Sequence, residues 1–274
     1  MFQYAMGYVM AKQNETDLLI DTEFYTNCNL PRYLTKREYG MSRFNIVGND
    51  VNINSQFKIL QKPIISKILR IFPRFSIMIK GMLYVKETRF RYLPYVLSYK
   101  NKNIYLDGYW QAYGYFEKYK KEITNMYSFE NDVILDEYKR IANSEHNLVA
   151  VHIRRGDYVT ANNPNVRNEE YYRSAIEIVS NVVKRPKFCF FSDDIEYVIS
   201  TFSNIPNMCI ANMNRVLNDV EELQLMRLCA HQIISNSSYS WWAAWLNSNP
   251  SKVVVCPAKW KGKSDMMPEA WIRC

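Results

Sequence analysis

The sequence predicts an α/β fold in two lobes, the second built on a doubly wound parallel sheet. From Asn147 onward, short apolar runs alternate with helix-length segments, the pattern of parallel strands joined by crossover helices. Most of those runs are rich in Val, Ile or Phe and lack Pro, as buried strands do. At 274 residues the chain exceeds one typical domain, and 48% hydrophobic residues with only 8 Gly leave no low-complexity or linker segment to explain.

The first lobe, residues 1–146, is the less regular. Asp17–Ile20 and Ile104–Leu106 read as strands, and Ala112–Glu122 as a helix. Between them, residues 62–86 (KPIISKILRIFPRFSIMIKGMLYVK) mix Lys and Arg with large apolar side chains, and Pro73 divides the stretch into two short amphipathic pieces. Two readings compete there: an ordinary two-helix connection packed on the lobe, or peripheral contact with an anionic membrane.

The second lobe, residues 147–260, supplies candidate strands at Leu148–Ile153, Phe188–Phe191, Met208–Ala211, Gln232–Ser235 and Val253–Cys256. Glu169–Val183 sets Tyr172, Ala175, Ile176 and Val179 at three- and four-residue steps, so one helical face can pack on the sheet. Val220–Cys229 does the same through Leu223, Leu225, Met226 and Leu228. Residues 261–274 read as a tail that can pack back on the first lobe.

A formal charge of +8 favours anionic partners, among them a nucleotide diphosphate, a membrane surface or nucleic acid, and is equally compatible with plain solubility. Cys189, Cys209, Cys229 and Cys256 sit in apolar runs without a CxxC pair and read as reduced core thiols. The chain opens without a charged-then-apolar leader and has no apolar run of bilayer-spanning length, from which a cytosolic location is expected.

In open parallel sheets ligands bind beyond the carboxyl ends of the strands. The segments just after three predicted strands are polar: HIRRGDY with His152, Arg154, Arg155 and Asp157; FFSDD with Ser192, Asp193 and Asp194; and SNSSYSWW with Asn236, Ser237, Ser238 and Ser240. Taken singly, each has a plainer explanation. Arg–Asp pairs form surface salt bridges, Ser followed by acids is what a helix start favours, and Trp241, Trp242 and Trp245 can be core as readily as an aromatic platform. Their shared register argues for one site. Two arginines beside a hydroxyl-rich helix N-terminus suit a diphosphate, and the carboxylates can accept from ribose hydroxyls or a guanine edge.

These three segments resemble, in order and spacing, the motifs of the α-1,2-fucosyltransferases, glycosyltransferase family 11. MFQYAMG at the start and LDGYWQ around Trp110 resemble that family's amino-terminal lobe, so the resemblance covers nearly the whole chain, although residues 41–91 carry no recognisable motif. It implies a GT-B-like architecture of two facing Rossmann-like lobes, GDP-β-L-fucose as donor, inversion to an α-1,2 linkage, galactose O2 as acceptor hydroxyl, and no metal or other cofactor. By position, the resemblance makes Arg154 the diphosphate ligand, with His152 and Arg155 shaping the same loop. Ser192, Asp193 and Asp194 line the nucleotide pocket, Asn236 lies in the same motif, and Ser237 and Ser238 donate to phosphate oxygens. Glu222, where similar sequences usually carry Asp, becomes the candidate for recognising guanine, and Trp110 and Gln111 the candidate acceptor contacts. Relatives also carry a first strand and a Gly-Gly-x-Gly-Asn-Gln loop ahead of MFQYA, so this chain is expected to lack that strand.

Inverting transfer requires stabilisation of the leaving diphosphate, which arginines can supply, and removal of the acceptor proton. Asp157 is the candidate base by motif, although a neighbouring Arg lowers its basicity; early departure of GDP with late proton loss is the alternative. A lipid-linked glycan acceptor fits a peripheral membrane contact through 62–86. Two other classes of function stand beside the transferase. A non-catalytic sugar-nucleotide binder would bind GDP without turnover. A nucleic-acid binder would show steep salt dependence, and no nucleic-acid motif supports it.

Overall fold

The computed structural model describes residues 1–26, 39–53, 57, 60, 62, 76–87, 91–128, 147–156, 159, 166–211, 217–260 and 264–274. The chain divides into two compact units, one of 1–128 with 262–266 and one of 129–261 with 267–274. The first unit therefore ends short of the expected limit at 146, within a stretch that lies outside the described residues from 129 onward.

The first unit opens with helix α1, Phe2–Asn14, which buries Phe2, Tyr4, Ala5, Met6, Val9 and Met10. The sequence reading assigned no helix there. Glu15, in the left-handed region at φ 54°, stops it, and the Thr16 N–H reaches back to the Ala11 carbonyl. Strand β1, Leu19–Asp21, pairs in parallel with β2, Asn49–Val51. A second sheet has β3, Ser76–Ile79, antiparallel to β4, Met82–Lys86, which runs parallel to β5, Ile104–Asp107. Tyr84 and Tyr105, register partners on β4 and β5, stack at 5.9 Å, with Phe57 4.2 Å from Tyr105. The Tyr105 hydroxyl donates to Asp21 Oδ2 at 3.1 Å and so ties β1 to β5.

Two expectations for this unit are corrected. The second half of 62–86 is a β-hairpin, not an amphipathic helical piece. Lys80 and Gly81 both have positive φ, 48° and 79°, the conformation a two-residue hairpin turn requires, and the flanking Ile, Leu, Tyr and Val suit strands. Its first half, 63–75, lies outside the described residues. The helix expected over Ala112–Glu122 is instead two 3₁₀ turns, Tyr113–Tyr115 and Glu117–Tyr119, followed by helix α2, Lys120–Met126. Gly114 breaks it: glycine is a poor helix interior residue, and here it makes room for Tyr92, whose ring would meet an added Cβ at 3.1–3.2 Å.

The second unit carries a six-stranded sheet in the order β8-β7-β6-β9-β10-β11, parallel throughout: β6 Leu148–Ile153, β7 Lys187–Ser192, β8 Met208–Ile210, β9 His231–Ile233, β10 Val254–Cys256 and β11 Ile272–Arg273. The central β6 is buried along its whole length, as a strand covered on both faces must be. From β6 the chain winds outward through β7 and β8, then returns to β9 on the other side and continues outward. That is the doubly wound α/β topology, with its switch point between β6 and β9. β11 was not expected. It comes from the presumed tail, which divides: 262–266 group with the first unit, where Asp265 accepts the Tyr92 N–H at 2.7 Å, and 267–274 extend this sheet.

Among the described residues four helices accompany the sheet: α3 Glu169–Val182, α4 Ile195–Phe202, α5 Asp219–Leu228 and α6 Ser238–Leu246. The α3 face of Tyr172, Ala175, Ile176 and Val179 packs with Val149, Val151, Phe188 and Phe190 into one core. Burying a side chain of that size contributes about 1.5–3 kcal/mol. From Trp241 onward helix α6 is wholly apolar and buried, with Trp241, Trp242 and Trp245 at most 2% exposed, which decides for core and against an aromatic platform.

Candidate functional site

The switch point is where two carboxyl strand ends diverge and main-chain groups open toward a ligand. On one side β6 delivers His152 and, just beyond its end, Arg154 and Arg155. On the other, the chain leaving β9 turns through Ser235–Ser237 into α6.

His152 closes the gap between the two sides. Its Nδ1 lies 2.9 Å from Ser235 Oγ, and its ring sits 5.7 Å from that of Tyr239 in the first turn of α6. Burial, helped by the Arg154 charge, drives the imidazole pKa down to about 3, so the ring is neutral near pH 7. A neutral imidazole can orient neighbours without adding charge.

Arg154 and Arg155 meet the two aspartates at the end of β7. Arg154 Nη1 pairs with Asp193 Oδ2 at 2.8 Å, while the Arg155 N–H donates to Asp193 Oδ1 at 2.8 Å. Arg155 Nε donates to Asp194 Oδ2 at 2.9 Å, and its guanidinium lies 3.6 Å from the Tyr197 ring centroid. Asp194 also caps α4 by accepting the Tyr197 N–H, and Arg155 followed by this bond holds its carboxyl below the usual range. Ser192 Oγ accepts the Asp194 N–H at 3.0 Å. Gly156 completes the loop, since a Cβ there would stand 2.7 Å from Asp193 Oδ2. Ser192 and Asp194 thus build the loop, and Asp193 holds Arg154, whose side chain keeps 31% of its surface exposed and remains reachable from solvent.

Across the gap, Ser237 is 8% exposed and caps α6 by accepting the Tyr239 N–H, while Ser238 is exposed. Asn236 is buried and donates to the Lys259 carbonyl at 3.4 Å. Of the three, Ser238 is the exposed one.

Glu222 comes from the first turn of α5, which Asn218 and Glu221 close with a reciprocal capping box. Burial raises its carboxyl pKa above the ordinary range; contact with Tyr239 and the Arg154 charge oppose that shift, and the Asp193 charge adds to it. Glu222 thus lies within electrostatic range of the Arg154–Asp193 pair. Sequence reasoning missed Tyr239, the connector. Its ring packs toward His152, and its hydroxyl donates to the Asp219 carbonyl and, at 3.4 Å, to Glu222 Oε2. The only signal was a hydroxyl-bearing ring inside SNSSYSWW, which reads as core beside three tryptophans.

His152, Arg154, Asp193, Glu222 and Tyr239 therefore form one connected cluster over the switch point, with Arg155, Asp194 and Ser192 behind it. Asp157 lies outside the described residues. Trp110 and Gln111 belong to the first unit, on the loop after β5, where Glu87 accepts the Tyr109 and Trp110 N–H groups. Trp110 is 1% exposed and meets Tyr115 edge-on at 5.7 Å, so its ring packs that loop and does not offer a face to a sugar. Gln111 is half-buried, and among the described residues its buried Oε1 has no hydrogen-bond partner.

A model of glycosyl transferase family 11 matches residues 51–272, a span that holds every residue of this cluster. The chain belongs to glycosyl transferase family 11. It is similar to the O-antigen biosynthesis glycosyltransferase WbnK of Escherichia coli, 29% identical over 99% of this chain and 95% of that protein. It is also similar to an α-1,2-colitosyltransferase of Escherichia coli, 28% identical over 100% of this chain and 94% of the other. Among solved structures, NodZ α-1,6-fucosyltransferase soaked with GDP-fucose matches at a TM-score of 0.45 with 12% identity over 91% of each chain. Fucosyltransferase NodZ from Bradyrhizobium matches at 0.38 with 10% identity over 88% of this chain and 87% of that one.

Proposed function

We propose that this family 11 glycosyltransferase is a GT-B-like, inverting enzyme that moves L-fucose from GDP-β-L-fucose to a glycan hydroxyl, O2 of a galactose, forming an α-1,2 linkage. The observation that carries the reading is the partly exposed Arg154 guanidinium, fixed by Asp193 at the switch point of the doubly wound sheet and linked through His152 and Tyr239 to the start of α6. Arg154 neutralises the diphosphate as the glycosidic bond breaks, and Ser238 with the α6 N-terminus adds donors to the phosphate oxygens. Glu222 accepts from guanine N1–H and N2–H₂. His152, Arg155, Ser192, Asp193 and Asp194 keep the two rims of the pocket in place.

Arginine supplies the positive charge on this reading, so no metal is required, and turnover should persist in EDTA. Asp157 removes the acceptor proton, or GDP departs early and proton loss needs no strong base. Gln111 serves the acceptor. Cytoplasmic placement and peripheral contact through 62–86 fit a lipid-linked acceptor of O-antigen type, as the name of one relative suggests. Among the described residues no helix is long and apolar enough to cross a membrane.

A second donor has a specific motive, because one relative is named for colitosyl transfer. Incubation with GDP-fucose or GDP-colitose and a panel of galactose-terminated glycans, with linkage determined by NMR, tests both donors. An α-1,2-fucosylated galactose is the expected product. Transfer only from GDP-colitose would replace the donor, and absence of both turnover and GDP binding would overturn the reading.

A further inference from the structure

We propose that Tyr239 is the positioning residue for base recognition: its hydroxyl, anchored on the Asp219 carbonyl, sets the Glu222 carboxylate in the orientation that selects guanine over adenine. The inference rests on the donor-site reading above and assigns the nucleotide specificity of that site to a residue of the third motif that touches Glu222 and not the nucleotide.

The argument is geometric. Tyr239 is fastened on three sides. Its main-chain N–H donates to Ser237 Oγ at 3.3 Å, its ring lies 5.7 Å from the His152 ring, and its hydroxyl donates to the Asp219 carbonyl in the first turn of α5. Glu222 stands three residues after Asp219, so its side chain rises over the same face of the helix. The hydroxyl shares its one proton between the Asp219 carbonyl and Glu222 Oε2, 3.4 Å away, and among the described residues no other side chain hydrogen-bonds that carboxylate. A glutamate has one more rotatable bond than an aspartate, and an unrestrained terminus would be spread over several rotamers. One hydrogen bond from a fixed hydroxyl restricts the spread.

The orientation matters because the two purines present opposite edges. Guanine offers two adjacent donors, N1–H and N2–H₂, to a carboxylate, whereas adenine offers an acceptor at N1, which a carboxylate repels. A half-buried carboxylate that burial already disfavours in its charged form benefits strongly from the first and loses from the second. The gain is realised only when both oxygens face the base edge.

The test is calorimetric titration of the full chain and its Tyr239→Phe, Glu222→Gln and double variants with GDP and with ADP. Phenylalanine keeps the ring against His152 and removes only the hydroxyl. Expected is a preference for GDP in the unaltered chain, a fall in GDP affinity of about tenfold in Y239F with ADP unchanged, and a double variant no weaker for GDP than E222Q. Unchanged ADP affinity also reports that the variant site is folded. A Y239F variant with the original GDP-to-ADP ratio, or a double variant weaker than E222Q by the full Y239F factor, would overturn the proposal. Failure of the unaltered chain to distinguish GDP from ADP would instead remove the guanine reading beneath it, and the two failures are separate readings of one experiment.

Discussion

Arg154 is the residue on which the chemistry most depends and the fold least. Its guanidinium is partly exposed and pairs with an aspartate of similar exposure, a kind of pair that contributes about 0–1 kcal/mol to stability. The same charge beside a departing diphosphate acts where charge develops, and removing one such group typically costs about 10²–10³ in rate. Arg154→Ala should therefore reduce GDP release from GDP-fucose plus acceptor by on the order of a hundredfold or more and leave the melting temperature nearly unchanged; near-normal turnover removes Arg154 from the mechanism. His152 predicts the reverse dependence. Its folded pKa of about 3 lies below the ordinary 6.5, so the unfolded chain binds a proton that the folded chain refuses. Stability from this group is complete above pH 6.5 and is lost as pH falls toward 3, by about 1.4 kcal/mol per unit within that window. Melting temperature should decline on acidification through pH 6 to 4, and His152→Gln should flatten that decline; an unchanged slope shows that other groups set it. The sequence identified Arg154 and His152 because chemistry needs a cation and an imidazole there, whatever the surroundings. It could not separate Ser237 from Ser238, since which hydroxyl turns inward to cap depends on where α6 begins to within one residue. Nor does the sequence tell that the Trp110 ring is buried, since that depends on how the loop after β5 folds over it.

At the scale of elements, legibility followed context. β6 was read to the residue because six buried positions in a row leave no ambiguity of face. β9 was placed one residue late at its start and extended too far at its end, where Ile234 still bonds to Val255 although the strand has ended. The β3–β4 hairpin reads as helix in the sequence because the basic residues of the stretch mimic an amphipathic period, while the decisive feature, the Lys80–Gly81 pair at positive φ, is a single turn. The loop after β6 carries a prediction of its own. Gly156 has no Cβ because Asp193 occupies the space, and alanine there would push the Asp193 carboxylate off Arg154 without touching the core. Gly156→Ala should lower kcat/KM on the order of tenfold, the worth of one charge-assisted hydrogen bond, with a melt within a few degrees of the original. Full activity in that variant would show that Asp193 does not orient Arg154.

For the whole molecule, the strand order of the second unit concentrates the chemistry: one reversal in the winding leaves one place where two strand ends separate, and residues from 152 to 239 converge there. The alternation of apolar runs made the α/β class legible, but not the sixth strand, because two residues after a proline-containing turn carry no periodicity. Charge is distributed with less economy. Of the 35 Lys and Arg, six fall in residues 62–86, which contain no Asp or Glu. Such a run adds about 1 kcal/mol of attraction to an anionic bilayer per basic side chain near the surface, and that attraction is screened within about 8 Å at physiological salt. If 62–86 brings the enzyme to a lipid-linked acceptor, the chain should sediment with vesicles containing phosphatidylglycerol, and release as salt is raised. Lys67→Glu combined with Arg70→Glu reverses two charges of this run at a distance in sequence from every residue of the donor site, so vesicle binding should fall while transfer to a soluble acceptor is retained. Sedimentation unchanged by the two substitutions would leave the surplus of positive charge to solubility alone and detach membrane contact from 62–86.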